Sequence, residues 1–301
     1  MPDVVVRPMR PADVPAAERL SAEAFLGVDR ALRAPGDPEP QERPQPRAAR
    51  WVARTLGTVA TDPGGCWVAE DPGAPGAPDG LVGFATSMRR DGTWVLATYA
   101  VRPGRQGRGV GRHLLDAALT HSRGCLRGML SSSADPAAVR RYVLAGFEMH
   151  PQMTLAGTVD RSAIPPGTGE RVREGTSADT DLLESLDRRR RGSGHGPDHA
   201  YLQDTCRLLV VETRAASGYA YLDRESSVQL LAATDRRTAA RLLWTALADG
   251  PEQQRVTHVT AANAWAVEIG TAARLALRTS GFLALRGMDP PAPYLHHGAL
   301  L

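Results

Sequence analysis

Lysine is absent from all 301 residues, so each of the 36 basic side chains is an arginine. The arginine fork donates two parallel hydrogen bonds and suits phosphate. The formal net charge of +3 at a pI near 9.0 is small and spread along the chain. That excludes the basic stripe a nucleic-acid partner requires. Cysteine is scarce too: Cys66, Cys125 and Cys206 lie far apart with no CxxC pair, which excludes a disulfide frame and a thiolate metal site. Aromatic residues make up only 5%, so Leu, Val and Ala must fill the interior. No stretch approaches the roughly 20 apolar residues that cross a bilayer, and the first residues lack a charged leader followed by an apolar run. These absences lead us to expect a soluble, cytoplasmic protein, without membrane or nucleic-acid partners, as a monomer or homodimer.

What is present supports a core. Hydrophobic residues reach 42%, and the length suits two domains of roughly 150 residues. Val4–Val6 reads as a first strand, with Asp13 as N-cap of a helix carrying Val14, Ala17, Leu20, Ala24 and Phe25 on one face. From Ala34 to Pro46 the chain holds five prolines and reads as an irregular flap, extending to about residue 60, that shapes acceptor choice. Cys66–Glu70, Leu81–Met88 and Thr93–Val101 read as strands, the first two separated by a Pro/Gly-rich turn, Asp71–Gly80. Met129–Ser133 reads as a strand and Pro136–Leu144 as a helix with proline in its first turn.

After a Pro165–Gly167 linker the chain looks like a worn copy of itself. Val6, Arg7 and Asp13 match Val172, Arg173 and Asp179 at an offset of 166. Gly83-Phe84-Ala85 matches Gly218-Tyr219-Ala220, and Gly146-Phe147 matches Gly281-Phe282, both at 135. Three matches in one order predict an internal duplication, with domains at 1–158 and 168–301.

Chemistry concentrates between Val101 and Arg112. Glycines there let a ligand approach the backbone, and the first turn of the following helix offers unpaired N–H groups and a positive dipole end. Arg105, Arg108 and Arg112 add charge. A dinucleotide site would need glycine at Arg112, and a Walker loop needs lysine; both fail. The spacing Gln106-x-x-Gly109-x-Gly111, preceded by Val101 and Pro103 and followed by Leu114-Leu115, resembles the acetyl-CoA loop of the GCN5-related N-acetyltransferase (GNAT) superfamily. The resemblance covers roughly 1–155, including Val6–Pro8, Gly83-Phe84 and the Tyr142, Gly146, Phe147 pattern.

That resemblance implies an α/β fold of two GNAT-type domains, each a mixed twisted sheet flanked by helices. It implies acetyl-CoA as cofactor, with backbone groups of Tyr99, Ala100 and Val101 pairing with the pantetheine arm. The amides of Gln106, Gly107, Arg108, Gly109, Val110, Gly111 and Arg112 would hold the diphosphate. Many relatives carry an asparagine before the last helix, where this chain has Ala134-Asp135-Pro136. Tyr142 matches the general acid that protonates the departing thiolate. The base stays open between Asp91, a serine of Ser131–Ser133 acting through water, a water chain, and the terminal carboxylate of Leu301 assisted by His296 or His297. The acceptor is expected to be a primary amine of a small molecule or peptide. A non-catalytic acyl-CoA sensor is the rival, and transfer to oxygen or of longer acyl groups a further one.

In the second copy the stretch Ala232–Ala240 has no glycine and carries Asp235 where phosphate would lie, and Tyr142 falls on Leu277. This half is expected to keep the architecture without the cofactor. Arg188–Arg191 reads as a solvated face. His195 and His199 look like a metal pair without a third ligand, which favours a structured loop and no metal. The five tryptophans, Trp51, Trp67, Trp94, Trp244 and Trp265, read as core or seam residues.

Overall fold

The β-branched run at the front of the chain forms an edge strand, β1 (Val5–Pro8), paired antiparallel with β2 (Cys66–Glu70). The computed structural model describes residues 4–34, 38–73, 76–77, 79–224 and 227–301. The chain divides into two compact units, Met1–Ala145 and Gly146–Leu301.

In unit 1, α1 (Val14–Ala31) and α2 (Gln45–Thr61) precede β2; β3 (Leu81–Arg90), β4 (Thr93–Val101), α3 (Val110–Thr120), β5 (Arg127–Ser132) and α4 (Pro136–Leu144) follow. The strands run β1-β2-β3-β4-β5, antiparallel except for the parallel pair β4–β5. This is a mixed twisted sheet with helices on its faces. Helices α1 and α2 press Val14, Ala17, Leu20, Trp51 and Val59 onto Val68, Phe84 and Ala100, with Trp51 edge-on to Phe84 at 5.7 Å. Burying each such large side chain contributes about 1.5–3 kcal/mol. On the opposite face α3 packs closely because Gly83 lacks a side chain: a Cβ there would lie 2.8 Å from Leu114. Cys66 is buried, which pushes its thiol up to about 12, and all three cysteines are free.

The helix α2 corrects the sequence reading of residues 34–60. Residues 35–37 lie outside the described residues, 38–44 have no regular structure, and the helix starts at Gln45 with Pro46 in its first turn, where a missing N–H costs nothing. Trp51, Thr55, Thr58 and Val59 give it a buried face. Of the turn at 71–80, residues 74, 75 and 78 also lie outside the described residues. Asp13 occupies the N-cap position of α1, but its carboxylate caps no helical amide. It accepts from both Arg7 nitrogens, at 2.7 and 2.9 Å, and from the Arg10 amide at 2.7 Å.

Unit 2 comprises β6 (Glu148–Thr158), β7 (Val172–Glu174), α5 (Thr180–Arg191), α6 (Asp198–Thr205), β8 (Arg207–Glu212), β9 (Ser217–Leu222), β10 (Val228–Ala233), α7 (Arg236–Asp249), β11 (Gln253–Thr260), α8 (Ala264–Ala272), β12 (Ala276–Arg286) and β13 (Tyr294–Leu295). Five strands run β13-β10-β9-β8-β7, and β6 lies antiparallel between β12 and β11. Local devices of unit 1 recur here. Arg173 grips Asp179 at 3.0 and 2.6 Å and reaches Glu212 at 3.4 Å, as Arg7 grips Asp13 and pairs with Glu70. A Cβ on Gly218 would lie 2.9 Å from Thr238 and 3.1 Å from Leu242, the counterparts of Val110 and Leu114 beside Gly83.

The later register of this repeat is 128, not 135. Helices α4 and α8 start at 136 and 264, and strands β6 and β12 at 148 and 276, each a difference of 128. The left-handed turn of Gly146 (φ 83°) is therefore taken by Arg274 (φ 62°), while Gly281 lies inside β12 beside its bulge. Tyr142 corresponds to Gly270 (142 + 128), not to Leu277, which lies on β12. Among the described residues no helix is long and apolar enough to cross a membrane.

Candidate active site

The predicted loop leaves β4 and enters α3 as the sequence suggests. Gly104, Gly107 and Gly109 all have left-handed φ, of 77°, 76° and 86°, and Gly109 is the N-cap of α3 with no side chain capping the helix. The first intrahelical donor is His113, whose amide reaches the Gly109 carbonyl at 3.2 Å. The amides of Val110, Gly111 and Arg112 precede it, without intrahelical partners and at the positive end of the dipole. Gln106 braces the loop from its side chain, donating to the Val101 carbonyl at 3.3 Å. Arg108 and Arg112 are exposed, Arg112 within 3.5 Å of Asp116. Arg105 is turned to Asp71 at 3.3 Å.

Beside the loop the sheet opens. Thr98 faces Thr86 while Leu96 faces Ser87, so Ala97 is an extra residue on β4. Such a bulge bends its strand. Pairing of β4 with β5 runs from Thr93–Arg127 to Leu96–Leu130 and stops there. From Ala97 to Val101, β4 within this unit pairs only with β3. The edge of Tyr99, Ala100 and Val101 is thus open to a ligand carrying amide groups.

Tyr99 and Tyr142 meet at this opening, ring centroids 6.2 Å apart and nearly edge-on. Tyr142, on α4, is 5% exposed, and burial raises its phenol above the ordinary tyrosine value. Burial likewise pushes Tyr99 up to about 12. Both hold their protons at neutral pH. The Tyr99 hydroxyl lies against the first turn of α3: a Cβ on Gly111 would be 2.2 Å from it. Asp135 caps α4, accepting from the Ala138 amide at 2.8 Å. A cavity of about 440 Å³ opens on the other flank of α3, walled by Val6, Trp67 and Val82 with Arg105 and Arg108 at its side, and neither tyrosine lines it.

Within unit 1 the candidate bases do not gather here. Asp91 lies in the β3–β4 turn (φ 43°), before the start of β4. At about 3.3 Å per residue, the six residues from Thr93 to Tyr99 alone span roughly 20 Å, too far for a base. Ser132 is buried and donates to the Ser133 carbonyl at 2.8 Å. Leu301 belongs to unit 2, fully buried, its amide donating to the His297 carbonyl at 3.0 Å. His296 stacks on His258 at 4.5 Å and pairs with Gln152 at 3.0 Å.

Unit 2 holds a buried polar cluster that sequence reasoning only half saw. Asp187 on α5 is the third member that His195 and His199 lacked. Its Oδ2 lies 2.7 Å from His195 Nδ1 and 3.0 Å from His199 Nε2, and its Oδ1 accepts from Tyr219. Arg191, read from sequence as solvated, is 1% exposed. It donates to His195 Nε2 at 3.1 Å and to the carbonyls of Ser193, Gly194 and Leu300. His195 must therefore accept at Nε2 and carry its proton on Nδ1, aimed at Asp187. That proton occupies the lone pair a cation would need, so these contacts describe a satisfied hydrogen-bond network. Burial alone would raise the Asp187 carboxyl, but the hydrogen bonds from His195 and His199 hold it well below its usual range. Burial, reinforced by Arg191, lowers His195.

Comparison with known proteins bears on the family and the fold. Residues 28–147 match the family model of the acetyltransferase (GNAT) family. No curated protein matches the sequence. A putative acetyltransferase from Pyrococcus horikoshii shares the fold with a TM-score of 0.72 at 17% identity, over 99% of this chain and 95% of its own. GCN5-related N-acetyltransferases from Kribbella flavida and Sphaerobacter thermophilus follow at TM-scores of 0.59 and 0.55 and identities of 16% and 18%. They align over 94% and 96% of this chain, and over 70% and 98% of their own. Residues 28–147 are thus a domain of the GNAT acetyltransferase family.

Proposed function

We propose that unit 1 is an acetyl-CoA-dependent N-acetyltransferase, acting on a primary amine of a small molecule or peptide. The observation that carries this reading is the convergence at one opening of three features: an uncapped α3 first turn, the unpaired edge of Tyr99–Val101, and the Tyr142 phenol. Acetyl-CoA would supply an activated thioester. The Val110–Arg112 amides would neutralise its diphosphate, and the β4 edge would pair with the amides of the pantetheine arm. This fixes the thioester near Tyr142. A neutral amine attacks the carbonyl carbon, a β4 amide stabilises the negative charge gathering on oxygen, and the C–S bond breaks. Tyr142, kept protonated by its burial, gives its proton to the departing sulfur; the amine's proton leaves to water.

The experiment is Tyr142→Phe. A general acid contributes about 10²–10⁴-fold, so thiol release from acetyl-CoA with an amine library should fall by that factor. Acetyl-CoA affinity by calorimetry should hold within about threefold, well under 1 kcal/mol. Undiminished turnover removes Tyr142 from the chemistry, and a wild-type chain that binds acetyl-CoA without any turnover points to a sensor.

A further inference from the structure

The two hairpins β3–β4 and β9–β10 superpose by register. Gly83 pairs with Val101 and Gly218 with Ala233; Ala85 pairs with Tyr99 and Ala220 with Leu231. Leu231–Ala233 is therefore the counterpart of Tyr99–Val101. In unit 1 that edge is open. In unit 2 it is taken: β13 pairs Leu295 with Leu231 and Tyr294 with Ala232, and the Ala233 amide reaches the Pro293 carbonyl at 3.4 Å.

More than a strand holds this segment. Asn263 is the N-cap residue of α8, the counterpart of Asp135 on α4. Its side chain accepts from the Tyr294 amide at 2.9 Å and donates to the Pro291 carbonyl at 3.0 Å. Arg190 donates to the Ala292 carbonyl at 3.1 Å and Arg191 to the Leu300 carbonyl at 3.1 Å. Tyr294, Leu295, Leu300 and Leu301 are each 2% exposed or less. The groove keeps nothing for a diphosphate. Eight residues, 102–109, join β4 to α3, whereas Thr234 and Asp235 alone join β10 to α7. The Asp235 carboxylate accepts from the Thr238 amide at 2.9 Å, placing negative charge at the first turn of α7.

We infer that the segment 290–301 is the resident occupant of the cofactor-type groove of unit 2. Its peptide groups take the place that the amides of a pantetheine arm take on β4. Unit 2 is then a binding-fold copy filled in cis, and each chain has one acyl-CoA site. This rests on the cofactor reading of Tyr99–Val101 in unit 1.

Hydrogen–deuterium exchange on the full chain, with and without saturating acetyl-CoA, tests it. Residues 290–301 should be protected without ligand and unchanged by it, while 103–115 gain protection. Asn263→Ala should speed exchange across 290–297 by about tenfold, the effect of losing one or two net hydrogen bonds, with acetyl-CoA stoichiometry still one. Faster exchange of 290–301 on adding acetyl-CoA, absent protection there, or a second acetyl-CoA bound by wild type or by Asn263→Ala would each overturn the inference. No response at 103–115 would instead defeat the cofactor reading of unit 1.

Discussion

Gly111 shows how much can rest on one missing methyl group. Its neighbour is the Tyr99 hydroxyl, which lies 2.2 Å from where a Cβ would be, with the ring carbon behind it at 3.4 Å. Gly111→Ala must push Tyr99 aside, toward Tyr142 and the opening where the cofactor arm is proposed to lie. We expect a loss of acetyl-CoA affinity of about tenfold or more, a 1.4 kcal/mol effect. Tyr99→Phe removes the clashing oxygen and leaves the ring carbon at an ordinary van der Waals distance. The double variant should then recover most of the affinity, giving a coupling of about 1–2 kcal/mol in a double-mutant cycle. Strictly additive losses would mean that Gly111 is required for backbone reasons or direct cofactor approach instead. The motif spacing picks out Gly111 from sequence, but nothing in the sequence names the side chain it accommodates.

Among the elements, the ones with local signals were legible. The glycine-rich turn between β4 and α3, the proline start of α4 and the Gly83 approach all follow from residue type and spacing. Helix α2 was not legible, because five prolines in residues 34–46 suggest a flap and only its first turn contains one of them. The second half misled for a physical reason. The offset falls from 135 at Gly83 to 132 at Val101 within the hairpin, and shortening the next connection from eight residues to two brings it near the 128 of the later elements, so Gly281 matched Gly146 by coincidence and Arg274 carries the left-handed turn. The Asp187 cluster was invisible because its members meet only after α5 ends and Gly192 (φ 76°) reverses the chain. That cluster predicts a stability effect. Asp187→Ala removes the shared acceptor of His195, His199 and Tyr219 and leaves buried donors unsatisfied, at a cost of about 1–3 kcal/mol for each. A urea midpoint unchanged from wild type would show that the network contributes no net stability.

At the scale of the whole molecule, the response to acid should come from unit 2. His258 and His296 stack at 4.5 Å, His258 with a left-handed φ of 59°. Burial, with Arg255 nearby, pushes His258 down to about 4; burial, then His258 and Arg191, holds His296 well below the usual histidine range. His195 is lowered too. Each binds fewer protons folded than unfolded, so its contribution is complete above the unfolded value of about 6.5 and declines as pH falls from there toward the folded value. Carboxylates such as Asp13, Asp62, Asp179 and Asp235 are lowered in the fold. Their contributions are retained above the unfolded carboxylate value near 4 and lost below it. The interval from pH 6.5 to 5 therefore belongs to the histidines. His258 alone should remove about 2 kcal/mol by pH 5, at 1.36 kcal/mol per pH unit. Urea midpoints at pH 7.5, 6 and 5 should fall in that order. His258→Asn, which tolerates the left-handed backbone and does not titrate, should flatten the slope. A midpoint constant between pH 7.5 and 5 would show that the stacked pair is charged or hydrated in the fold, contrary to its burial.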